Sequence, residues 1–346
     1  MNEFDQNEAE HTLKGLPRLR FNRPKDSLQE AGESYYRWWW EFLRLSKDYW
    51  LISQTAHRDE RGRLLRVTTI DHLLRRIYFR FGDIHNVSFE TWWQKRGYRL
   101  FSERQPFPKV SVIPDTPRLR IKRPADDHIW VDIPLKLSAR TIKRQIGKIL
   151  GEHSELRLDD RRRLTTAEYH LSPSRLSLHT LKRTHEVYCL HRELIAKPMA
   201  LNQVRGAKRH QADFAKRADL FRIGKLLHLS PSNESLRGTA NEIYAKQNQM
   251  RVAVSRILKN AQRLITQCEH GQFPSYEEVT PQRRFSERQS SSHQALEEAW
   301  WALDLTSSLS ADKLSQVRAI HYEEAERERQ LDITKMDRRV VHTFHG

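Results

Sequence analysis

The chain has 346 residues, with 61 Lys and Arg against 44 Asp and Glu, a formal charge of +17 and a pI near 10.0. That length leaves room for two or three domains, and 38% apolar residues suffice for a core. The surplus of cations predicts salt-dependent attraction to polyanions, while two widely spaced cysteines, Cys189 and Cys268, exclude a disulfide framework and a Cys-type zinc site.

Residues Met1 to Glu10 are acidic and polar, which predicts no secretory signal, and residues 1–30 read as a flexible N-terminal segment. The longest apolar stretches are broken by Arg or Lys, so no membrane association is expected and a cytoplasmic location follows. Seven of the nine tryptophans precede residue 131. Residues 31–125 are therefore read as an aromatic-rich helical domain with a few short strands.

Its first helix starts at Tyr35, with Tyr35, Trp39, Phe42 and Leu43 as the buried stripe. Adjacent side chains on one helix diverge, so Trp38 and Trp40 are expected to face a second element, a partner or a base, and Trp38, Trp40, Trp92 and Trp93 are the candidate protein contacts. A second helix is predicted over Thr69 to Phe81, with Ile70, Leu73, Leu74 and Ile77 inward and Gly82 as its stop. Ser88 should cap a third, Phe89 to Leu100. Pro106, Pro108, Pro114, Pro117 and Pro124 then punctuate short β-branched runs, and a domain boundary is placed there.

Residues 126–292 read as a basic helical nucleic-acid-binding region. Ser138 is expected to cap a helix with Ile142, Ile146, Ile149 and Leu150 on one face and Arg140, Lys143, Arg144 and Lys148 on the other. Arg161, Arg162 and Arg163 form a compact cluster after it. The sequence His-Leu-Ser-Pro-Ser occurs at 170–174 and again at 228–232, and each copy is expected to start a helix. A structural duplication and two unrelated caps both fit this echo.

The strongest functional signal lies between Thr239 and Ile265. Ala240, Ile243 and Tyr244 suggest a short helix, Lys246-Gln247-Asn248 a polar break, and Val252, Ile257, Leu258, Ala261 and Leu264 the apolar side of a longer helix. That arrangement fits a helix-turn-helix. The stretch Val254-Ser255-Arg256-Ile257-Leu258-Lys259-Asn260-Ala261 resembles the recognition-helix endings of bacterial helix-turn-helix regulators, over fewer than 30 residues and without the usual turn Gly. The resemblance implies that Gln249, Arg251 and Ser255 face bases while Arg256 and Lys259 face phosphate. Between Leu201 and Ile265 there are 13 basic and four acidic residues, against seven and ten from His293 to Gly346, so 293–346 reads as an acidic C-terminal helical segment. Trp300-Trp301 look like the anchor of a packed helix there.

Catalytic patterns are weak. No HExxH or phosphate-binding Gly loop occurs, so no catalytic residue, metal or cofactor is assigned. Gly82-Asp83-Ile84-His85 reads as a capping turn more readily than as an acid–base pair. Asp115, Asp132 and Lys136 lack the acidic-x-Lys step of a nuclease strand.

The expectation is a mainly α protein that binds nucleic acid without catalysis, duplex DNA ahead of RNA, as a regulator or as the recognition subunit of a bacterial or mobile-element complex. A structural subunit binding RNA or single strands is the alternative, and a metal-dependent nuclease the third. Where the tryptophans point separates the first two: buried rings favour a duplex, solvent-facing rings beside Arg favour single strands.

Overall fold

The computed structural model describes residues 11–18, 20–55, 57–58, 64–66, 71–103, 133–134, 136–152, 165–172, 174–204, 220–235, 237–279, 294–305 and isolated positions from 315 to 330. The fold is mostly helical. Its helices are α1 (Leu28–Gly32), α2 (Tyr35–Arg44), α3 (Lys47–Thr55), α4 (His72–Phe81), α5 (Phe89–Trp92), α6 (Tyr98–Phe101), α7 (Ala139–Glu152), α8 (Leu178–His191), α9 (Lys197–Val204), α10 (Leu220–Leu226), α11 (Pro231–Glu234), α12 (Ala240–Glu269) and α13 (Gln294–Ala302). π-helical turns at Trp93–Gly97 and Arg192–Ala196 join α5 to α6 and α8 to α9. Two small antiparallel pairs, His11–Thr12 with Arg20–Phe21 and His57–Arg58 with Leu64–Arg66, are the strands among the described residues.

The chain divides into two compact units, but not at the expected boundary near residue 125: one unit is Met1–Ser102 with Tyr169–Gly346, the other is Glu103–Glu168. The proline-punctuated segment lies outside the described residues. Aromatic residues of the first third and apolar residues of the second half share one core, which is why they do not form separate domains. In the smaller unit the buried Glu103 carboxylate ties the two ends together, accepting hydrogen bonds from Thr165 Oγ1, Thr166 Oγ1, Thr166 N and Ala167 N.

At the centre of the larger core is α2. Ser34 is extended (φ −116°, ψ 179°) and its hydroxyl accepts from Tyr36 N, satisfying a free N–H of the first turn. No Gly or Pro interrupts Tyr35–Arg44. Trp39, Phe42 and Leu43 are buried as expected, and Tyr35 is half-buried, donating its hydroxyl to the Leu176 carbonyl at 2.7 Å. Tyr36, Trp40 and Glu41 are buried too, so the helix is embedded rather than one-sided. The Glu41 carboxylate lies 2.6 Å from Arg37 and 3.5 Å from Arg44, and both guanidiniums stack on the Trp40 ring. A buried charge held on both sides avoids the cost of an isolated one.

Trp92 and Trp93 show why adjacent indoles need no partner protein. Trp92 Nε1 donates to the Phe81 carbonyl at 2.9 Å and Trp93 Nε1 to Ser27 Oγ at 3.0 Å, so the two rings diverge towards different elements of one core. Trp40, Trp92 and Trp93 are therefore interior, and Trp38 is half-buried with its ring edge-on to His185 at 5.6 Å. Burial removes Trp40, Trp92 and Trp93 from the expected protein contacts, while Trp38 is only partly covered.

Local signals elsewhere set element ends. Asp71 caps α4 by accepting from Leu73 N and Leu74 N, and Gly82, at φ +75°, ends it, while Thr69 and Ile70 lie outside the described residues. The inward face of α4 is Leu74, Ile77, Tyr78 and Phe81, while Leu73 is exposed. Ser88 caps α5 as expected. The two His-Leu-Ser-Pro-Ser copies behave differently. The first starts no helix at Ser172, since Ser177 caps α8 five residues later. At the second, Ser230 occupies the cap of the one-turn α11 without a side-chain bond to it.

The C-terminal α13 is anchored as its tryptophans suggest. Trp300 is buried against Trp50, and Arg192 donates to the Trp300 and Leu303 carbonyls while lying over the rings of Trp300 and Trp301. The buried Glu193 carboxylate, 2.7 Å away, balances the Arg192 charge.

Burial lowers the imidazole pKa of both His85 and His185 to about 4. His185 is enclosed by Trp38, Phe42 and Cys189, and His85 Nε2 bonds to the Arg44 carbonyl. Unfolding would release both to an ordinary value near 6.5, so between pH 6.5 and 4 the unfolded chain binds more protons than the folded one. These two groups therefore make stability fall as pH drops through that window. Thermal melts of the wild type and His185→Phe at pH 7 and pH 4.5 check this: the wild type should lose the greater stability on acidification.

Candidate nucleic-acid interface

The interface is built on α12. Thr239 starts it with a reciprocal cap, its hydroxyl accepting from Glu242 N and the Glu242 carboxylate accepting from Thr239 N. From there the helix runs 30 residues without interruption, about 45 Å. The polar break expected at Lys246-Gln247-Asn248, and with it the helix-turn-helix, is not present. Lys and Gln are good helix formers, Asn is tolerable, and no Gly or Pro occurs from 240 to 269.

Helical phase separates the two faces. Met250, Val254, Ala261, Leu264, Ile265 and Cys268 are buried, with Ile257 and Leu258 half-buried beside them. Val252, expected on that side, is 52% exposed. It precedes Val254 by two positions, about 200° round the helix, and so falls on the outer face. Asn248, Gln249, Ser255, Arg256, Lys259 and Gln262 are also exposed there, and Arg251 is half-buried at the margin. Thus Arg251 and Ser255 are not enclosed in the core. Residues 243–268 contain Lys246, Arg251, Arg256, Lys259 and Arg263 and no acidic residue.

The exposed Glu278 carboxylate pairs with Arg263, whose hydrogen bond holds it below the usual carboxylate range, and reaches Lys259 only at 3.9 Å. Arg256 has no ion pair among the described residues.

Beside this face lies α10. Gly224 brings it close: a Cβ there would run into Met250 Sδ and stand 3.2 Å from Val254 Cγ2 of α12. The two helices leave an open groove of about 450 Å³, lined by Leu220, Arg251, Val252, Ser255, Arg256 and Lys259. Four of the five residues assigned to base or phosphate from the sequence, all but Gln249, therefore meet two apolar side chains that were not. The one readable signal for this was the missing acidic residue between 243 and 268; the apolar lining needed the placement of α10.

The smaller unit carries its own basic helix. Ser138 Oγ accepts from Thr141 N at 3.2 Å and starts α7 as expected. Arg140, Lys143, Arg144 and Lys148 are exposed, while Ile142, Ile146, Ile149 and Leu150 are partly covered. Arg161, Arg162 and Arg163 lie outside the described residues.

No metal or acid–base site emerges among the described residues. No three His, Cys, Asp or Glu side chains are grouped as metal ligands there. Asp83 accepts from His85 N and Asn86 Nδ2, so Gly82–His85 is a self-capping turn. Lys136 is exposed, and Asp115 and Asp132 lie outside the described residues. Cys189 and Cys268 are free and buried, and desolvation raises both thiols, which makes them poor nucleophiles. No described helix is long and apolar enough to cross a membrane. Comparison with protein-family models, with curated proteins and with solved structures finds no match to the chain.

Proposed function

We propose that the chain is a DNA-binding protein that acts without catalysis, as a regulator or as the recognition subunit of a larger assembly, and that it engages duplex DNA with the outer face of α12. The observation that carries this reading is an exposed face rich in Arg, Lys, Ser, Asn and Gln, on a helix with no acidic residue from 243 to 268. Arg and the side-chain amides offer paired donors and acceptors to base edges, and the cations neutralise phosphates. The docking element is one continuous helix, rather than the second helix of a helix-turn-helix. The basic face of α7, in the smaller unit, is a separate surface suited to phosphate.

Burial of the indoles favours a duplex over the single-strand alternative. Trp39, Trp40, Trp92 and Trp93 sit in the core, where they cannot serve as stacking platforms for successive bases.

A gel-shift comparison of duplex DNA, single-stranded DNA and RNA at two salt concentrations tests the reading, with duplex bound best and affinity falling with salt. Arg251→Ala should cost about 1–3 kcal/mol and relax sequence preference. Arg256→Ala or Lys259→Ala should weaken binding to all sequences alike, lowering the salt slope by about one unit each. Binding that is indifferent to salt would remove the electrostatic basis of the proposal.

A further inference from the structure

The groove between α10 and α12 is more than a charged surface requires. Arg251, Arg256 and Lys259 on an outward helix face would suffice for duplex phosphates. Leu220 and Val252 add an apolar lining to this open groove. A phosphate gains nothing from those two side chains, and the polar, convex backbone of a duplex would leave them wet. An unpaired nucleotide matches both chemistries: its base has an apolar face for Leu220 and Val252, and its phosphate meets Arg256 and Lys259, with the Ser255 hydroxyl beside them.

We infer that this groove takes a single unpaired nucleotide, so that the protein prefers a duplex interrupted by one over a continuous duplex. The inference rests on the nucleic-acid reading of α12 and names its substrate class. Among the described residues no aromatic ring lines the groove. On the same helix face the exposed Tyr244 is eight residues from Val252, about 12 Å along the axis, too far to stack on the same base. One nucleotide is accommodated, and a stacked tract is not. Turning out a base that has no pairing partner also costs least, which is where the preference arises.

The probes are a fluorescein-labelled blunt duplex and the same duplex with one central unpaired 2-aminopurine nucleotide. Burying roughly 60 Å² of apolar base surface corresponds to about a tenfold tighter Kd for the interrupted duplex. The 2-aminopurine emission should rise as the base leaves the stack. Val252→Phe fills the groove from an exposed position, and Val252→Ala strips part of its lining. Both should lose the emission rise and bind the interrupted and the blunt duplex with equal Kd. Equal wild-type affinity for the two duplexes overturns the inference and leaves the nucleic-acid reading intact. A preference retained in Val252→Phe overturns the placement in this groove. Displacement of the interrupted duplex, but not of the blunt one, by an acidic Leu- and Glu-rich peptide assigns the groove to a protein partner and also overturns it. Failure to bind either duplex at low salt overturns the proposed function itself.

Discussion

Replacing Trp39 with Ala should lower the stability of the larger unit by about 3–5 kcal/mol, the range for removing a fully buried aromatic side chain. That is a large share of the ~5–15 kcal/mol by which a domain is stable. Trp39 is fully buried, and its ring meets Phe101 at 5.1 Å, Phe273 at 5.7 Å, Phe81 at 6.0 Å and Tyr169 at 6.1 Å between centroids. Those four rings come from segments far apart in the chain, so the cavity left by Ala would open where both halves of the core meet. The Trp39 indole N–H has no hydrogen-bond partner among the described residues, so the loss is one of packing. Trp39→Phe should therefore be mild, within about 1.5 kcal/mol, and Trp38→Ala, at a half-buried position, should fall between the two. Urea unfolding followed by circular dichroism gives all three values. A Trp39→Ala loss below about 1 kcal/mol would contradict the central placement of this ring.

What the sequence made legible was local. Ser88 and Ser138 cap the helices assigned to them, Gly82 stops α4, and the Arg140–Lys148 face of α7 is exposed, because capping and charge segregation act within a few residues. Trp300 anchors α13 for the same kind of reason, since a large ring on a short helix must find cover.

The misread features depend on distant partners. Trp40 on α2, and Trp92 and Trp93 at the end of α5, leave their helices in different directions, and only the convergence of α2, α4 and α5 with α8 and α12 supplies enough walls to bury them. Val252 looked apolar and hence inward, but the phase of α12 is set by Met250 and Val254, which Gly224 of α10 contacts closely. The polar triplet 246–248 looked like a turn because nothing in it demands a helix, although nothing in it forbids one either. The groove itself arises from two segments some thirty residues apart and has no signature in either one alone.

The second large effect concerns the α12 face. Reversing Arg256 and Lys259 together to Glu places two anions where two phosphates would dock, and the expected loss in duplex affinity is about a hundredfold or more near 0.1 M salt. Both side chains are exposed, and the core side of α12 is untouched, so the melting temperature should stay within a few degrees of the wild type. Loss of the weak Lys259 contact to Glu278 contributes little to stability, because a pair between exposed side chains is screened by solvent.

The most direct test of the account is therefore the salt dependence of duplex binding for the wild type and for this Arg256→Glu, Lys259→Glu variant, measured by fluorescence anisotropy on protein confirmed to be folded. The account predicts a wild-type log–log slope steeper than the variant's, with the variant's binding weak at every salt concentration. A folded variant that binds the duplex with wild-type affinity and an unchanged slope would contradict it.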